Sequence, residues 1–140
     1  MMKIKKILSL VLSIILITTL GIPSLATESR ASAQIAVYGM DAISEHNDVI
    51  VDFTITGSGR MEKIGCESIY IYKLVDGRWV LTHSRAENDD GMSKTDAYFH
   101  TNILYFPCEE FEAYKVVVTV FAKNEKGRDS RSKTIYVTGK

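Results

Sequence analysis

Tyr114-Lys115-Val116-Val117-Val118-Thr119-Val120-Phe121-Ala122 is the stretch on which the fold turns. Val116, Val118 and Val120 fall two apart, the period of an extended strand whose side chains alternate between faces. Valine and threonine are branched at Cβ and sit better on a pleated surface than in a helix. A helix needs apolar residues three and four apart, and no tract after Gln34 sustains that spacing.

The same period recurs on both sides of this run. Upstream, Val49, Val51, Phe53 and Ile55 alternate until Gly57-Ser58-Gly59, which predicts a break. Ser68 to Leu74 is a further β-rich run. Asp76-Gly77 then separates it from Arg78 to Thr82, a pair suited to the positive φ angles of a tight hairpin. Ala86 to Ser93 is polar and reads as a loop. Ala97 to Phe106 is extended up to Pro107, Asn124 to Ser130 turns the chain, and Lys133 to Val137 closes it. With a first strand near Ile35 to Met40, the expectation is all-β: one seven-stranded antiparallel β-sandwich over residues 35–140.

The start of the chain has a different character. Lys3, Lys5 and Lys6 precede an apolar run from Ile7 to Leu20, and Gly21 and Pro23 follow. Ser24-Leu25-Ala26 then offers small residues at an export cleavage site, so residues 1–26 read as a signal peptide and 27–34 as a short linker. Ala31-Ser32-Ala33 is an alternative exit. The apolar run falls short of the ~20 residues of a membrane-spanning helix, so no stable anchor is expected after cleavage. The expected location is outside the cell.

The whole chain carries 17 basic and 17 acidic residues. Loss of Lys3, Lys5 and Lys6 leaves 14 against 17, a net charge of −3. A mildly acidic domain without a basic stripe is unsuited to nucleic acid or to an anionic membrane. Cys66 and Cys108 are an even pair in an exported chain, which admits a disulfide. In the expected topology, however, they lie at opposite ends of the fold, too far apart to bridge.

The pattern Tyr114-x-Val116-x-Val118-x-Val120-x-Ala122-x-Asn124-x-x-Gly127 resembles the penultimate strand and turn of fibronectin type III domains, an immunoglobulin-like sandwich. The resemblance implies that the Tyr114 hydroxyl is tied back to upstream backbone. This sequence departs from that pattern in two ways. Tyr114 to Asn124 is two residues longer, and Trp79 follows the Asp-Gly turn rather than lying on the second strand. Gly59 to Gly65, Ile69-x-Ile71 ahead of Trp79, and Tyr114 to Arg131 resemble small exported proteins of unknown function from Gram-positive bacteria. That likeness implies no activity.

No catalytic motif accompanies His46, His83 or His100, and a histidine–cysteine dyad has no local signature. The expected protein is therefore not an enzyme; a small secreted enzyme or inhibitor built from scattered residues is the alternative. Gly57-Ser58-Gly59-Arg60 lacks the lysine, hydroxyl residue and helix of a phosphate cradle, and no cofactor is expected. Asn88, Asp89 and Asp90 are weak candidates for a calcium loop. Aligning Gly91 with the invariant EF-hand glycine puts Ala86 and Ala97 where carboxylates are required, which excludes that motif.

If Val116, Val118 and Val120 face the core, Lys115, Val117, Thr119 and Phe121 face outward. With Ile69, Ile71, Ile135 and Val137 inward, Tyr70, Tyr72 and Tyr136 also face outward. Tyr70, Tyr72, Val117, Phe121 and Tyr136 are thus the expected binding patch, suited to a protein, a glycan or a second copy of the chain.

Overall fold

The computed structural model describes residues 32–140. The expected leader and its exit at Ala26 lie outside the described residues, as does most of the 27–34 linker. Six strands follow in order: β1 (Ile35–Glu45), β2 (Asp48–Val75), β3 (Arg78–Ala86), β4 (Ser93–Pro107), β5 (Ala113–Asn124) and β6 (Gly127–Thr138). All their pairings are antiparallel and join them in one curled sheet. The described residues form no helix long and apolar enough to cross a membrane.

Six strands replace the expected seven because Val49–Thr56 and Ser68–Leu74 are the two ends of one strand, the 28-residue β2. Gly57-Ser58-Gly59 interrupts the apolar alternation without ending the extended backbone. What changes there is the partner. The first half of β2 pairs with β1 on one side and β4 on the other, and the β4 register shifts between Thr56 and Met61. The second half pairs with β3 and β5, and β5 carries β6.

Local chemistry sets the turns. Asp76 and Gly77 both have positive φ, 50° and 77°, as the hairpin reading expects. His46 and Asn47, at 51° and 64°, make a second two-residue turn that the sequence reading passed over, so β1 runs on to Glu45 instead of stopping near Met40. Between β5 and β6, Asn124 Oδ1 accepts from the Lys126 amide at 2.9 Å, an Asx turn.

Val49, Val51, Phe53 and Ile55 from the first half of β2 bury with Ile69 and Ile71 from the second half and with Val116, Val118 and Val120 from β5. One cluster thus uses both halves of the sheet, which is what the curl accomplishes. Gly65 lies where the halves meet. Its φ of 156° and the approach of the Met92 carbonyl leave no room for a Cβ, and the neighbouring Cys66 amide donates to that carbonyl at 2.7 Å. The last residues of the expected linker belong to the fold: Ser32 Oγ bonds Asp129, and the Ser58 amide donates to the Gln34 carbonyl at 2.8 Å.

Candidate binding face

Cross-strand register decides which side chains share a face. Tyr72 stands opposite Leu81 on β3 and Lys115 on β5, and Lys115 stands opposite Tyr136 on β6. The adjacent row is Ser84, Tyr70, Val117 and Thr134. Trp79 pairs with Leu74 at the end of the face. Four of the five expected residues, Tyr70, Tyr72, Val117 and Tyr136, are therefore brought together on the side of the sheet away from the core.

Phe121 is a correction. It points to the same side, since it is absent from the core cluster, yet it is fully buried. The Arg128 guanidinium lies over its ring, 4.0 Å from the centroid. Arg128 Nη2 is held in turn by Glu67 at 2.6 Å and Glu87 at 3.2 Å, and Lys63 Nζ pairs with Glu87 at 3.0 Å. Burial opposes the charge of Arg128, but its bonds to Glu67 and Glu87 outweigh this and hold its pKa above the ordinary value. That clasp removes Phe121 from any docking surface.

Three residues of the face lay outside the expected patch: Trp79 and Leu81, which the sequence reading missed, and Lys115, which it placed outward without including it. Trp79 stacks obliquely on Tyr136, with centroids 5.8 Å apart and planes at 49°. Lys115 Nζ sits 4.7 Å from the Tyr72 centroid and 5.4 Å from that of Trp79, within cation–π reach of both. Leu81 is half exposed beside them. Counting outward from the Asp76-Gly77 turn would have placed Trp79 beside Leu74 and Leu81 beside Tyr72. Tyr136 is 66% exposed and Trp79 36%.

The opposite outer face, on β1, the first half of β2 and β4, has another character. Ile43, Ile50 and Tyr105 form one row, and Asp41, Asp52 and Ile103 the next. Two carboxylates thus stand directly across from each other there.

A cleft of about 320 Å³ brings together Lys73, Thr82, His83, Cys108, Glu109 and Tyr114. Its polar groups are engaged in structural contacts. Lys73 Nζ pairs with Glu109 at 2.8 Å, and the Glu109 amide donates to the Tyr114 hydroxyl at 2.7 Å, the upstream tie expected of that tyrosine. Cys108 Sγ lies 3.6 Å from Ser44 Oγ. His83 Nδ1 contacts Thr82 Oγ1 at 3.2 Å, and its ring leans on Phe106. No thiol–imidazole or imidazole–carboxylate bond forms among the described residues.

Elsewhere, His46 is exposed in its turn, whereas His100 is buried. His100 Nε2 donates to the Gly91 carbonyl at 2.7 Å, and its buried Nδ1 has no hydrogen-bond partner among the described residues. The polar 87–92 loop is braced from within. Asn88 Oδ1 accepts from Lys63, Asp89 Oδ2 accepts from the Ala86 amide at 2.7 Å, and neither oxygen set converges with Asp90 on a common point. Both cysteines are free thiols, and burial pushes Cys66 up to about 12.

No protein-family model and no curated protein matches the chain. Among solved structures it is similar to apo beta-glucuronidase 3 of Bacteroides uniformis at 11% identity and a TM-score of 0.37, over 75% of this chain and 12% of that one.

Proposed function

We propose that this is an exported, non-catalytic binding module that holds a glycan against the outer face of β3, β2, β5 and β6. The observation carrying the proposal is the Lys115 ammonium over the rings of Tyr72 and Trp79, with Tyr136 stacked on Trp79, on an open sheet face. Sugar rings present apolar C–H faces edged by hydroxyls, and aromatic rings with polar tips match both features. The neighbours favour a sugar over a protein. Protein interfaces are depleted in lysine and serine and use arginine instead, whereas this face carries Lys115, Ser84 and Thr134 between its rings.

The finer fold reading belongs to the same proposal. The two halves of the curled sheet act as the layers of a fibronectin type III-like sandwich, β2 crossing from one to the other. Their shared core and the Tyr114 tie support this. Export through the residue 1–26 leader, with its exit at Ala26, would leave Ser32 and its bond to Asp129 in the mature domain.

The test is affinity electrophoresis of the mature protein through gels cast with single polysaccharides. At least one polymer should retard it, and Trp79→Ala should weaken retention about tenfold, the usual loss of an aromatic anchor. A wild type retarded by no polymer, or an alanine variant retarded equally, ends the proposal. Concentration-dependent mass that disappears in Trp79→Ala would replace the glycan with a second copy of the chain.

The cleft lined by His83, Cys108 and Glu109 favours a second reading, a small enzyme. Turnover of chromogenic esters or glycosides that Cys108→Ser abolishes would establish it.

A further inference from the structure

Resting on the glycan reading, we propose that the ligand is an acidic polysaccharide, one bearing carboxylates on its sugars, with Lys115 as the counter-charge. Four other cations of the described residues are paired: Arg60 with Asp96, Lys63 with Glu87, Lys73 with Glu109, and Arg128 with Glu67 and Glu87. Lys115 forms no ion pair among the described residues. Its ammonium rests instead on the faces of Tyr72 and Trp79, in the middle of the ring cluster. A cation left without a carboxylate at the centre of an aromatic face is complementary to a ligand that brings one.

The surroundings keep that complementarity intact. Neither the Leu81–Tyr136 row nor the Ser84–Thr134 row contains an acidic residue. Asp41 and Asp52 lie on the opposite outer face. Packed sheet layers lie ~10 Å apart. This exceeds the ~8 Å screening length at physiological salt, so those carboxylates do not repel an anion at Lys115. The rings also hold the ammonium in place and shed part of its water, conditions under which a charge-assisted hydrogen bond gains strength.

The same geometry selects the anion. A carboxylate carries one charge and is satisfied by one ammonium with neighbouring hydroxyls, here those of Tyr70, Tyr72 and Thr134. Phosphate groups are usually held by an arginine fork or a nest of backbone amides. The backbone of the two strands beneath Lys115 and its rings, β2 and β5, is paired on both sides and offers no such nest.

The experiment compares retention of the mature protein by polygalacturonate, by the methyl ester of the same polymer, and by a phosphate-bearing polymer such as a teichoic acid. Polygalacturonate should be held at least tenfold more tightly than its ester. Lys115→Met, which keeps the aliphatic stem over the rings, should erase that preference and leave weak binding to both forms. Lys115→Arg should retain it, and matching tryptophan fluorescence should show that each variant keeps the face folded. Equal retention of acid and ester, or a preference that survives Lys115→Met, overturns the inference; so does tighter binding of the phosphate polymer. Equal retention that is lost in Trp79→Ala leaves the glycan-binding face standing and removes only its acidic ligand. Retention by no polymer removes both.

Discussion

Removing the hydroxyl of Tyr114 isolates a single hydrogen bond, because the ring itself packs in the core while only its oxygen reaches the Glu109 amide. Tyr114→Phe should cost about 1 kcal/mol in chemical denaturation with no change in fold. Cys66 answers to pH. Burial, only partly offset by the Ser68 and Thr119 backbone groups, raises its thiol from an ordinary 9.0 to about 12. The folded state therefore favours the neutral thiol. That preference is fully present below pH 9 and is lost as pH climbs through 9 toward 12. Between those values the wild type should lose melting temperature faster than Cys66→Ala. At this scale the tie of Tyr114 was expected only through the resemblance of its strand to fibronectin type III domains. The concealment of Phe121 was not, because Arg128 belongs to the next strand and is itself placed by Glu67 and Glu87 from elsewhere in the chain.

Among the elements, β2 is where local reading and structure part company. Period-two burial was visible at both of its ends. Its continuity was hidden, since glycine and serine at 57–59 look the same whether they turn a chain or let it bend while remaining extended. The face of Trp79 was legible from the Asp76-Gly77 turn, which sets it opposite Leu74. The register shift between Ile71 and Tyr72 lies beyond it and changes the faces only of the far end of β3, from His83 onward. Gly65 shows what the bend requires. Gly65→Ala should destabilise by more than about 2 kcal/mol, because the displaced atoms belong to backbone that bonds Cys66 and has little freedom to retreat. Equilibrium unfolding in urea measures it directly.

Taken whole, the described part of the molecule is tied down from its first residue, Ser32. Ser32 Oγ accepts from the amides of Gln34 and Ile35 and bonds Asp129, whose pKa the Ser32 contact lowers. An exit after Ala33 would remove this anchor, while one after Ala26 would keep it. Mass spectrometry of the exported protein should accordingly find Thr27 at its start. All-β character was readable from Gln34 onward because no tract there sustains the 3.6-residue period. The chemistry of the face was only half readable, since aromatic residues announce themselves whereas the seating of the Lys115 ammonium over Tyr72 and Trp79, without an ion-pair partner among the described residues, is a property of the assembled sheet.

One ribbon running from Asp48 to Val75 through both halves also determines where this polypeptide tolerates being cut. Severed near Ser58, each fragment would carry half of a shared hydrophobic centre and a raw edge. Opened instead at Asp90, between the end of β3 and the start of β4, every ladder along β2 survives. New termini from circular permutation, or a fluorescent label, belong at that outer bend.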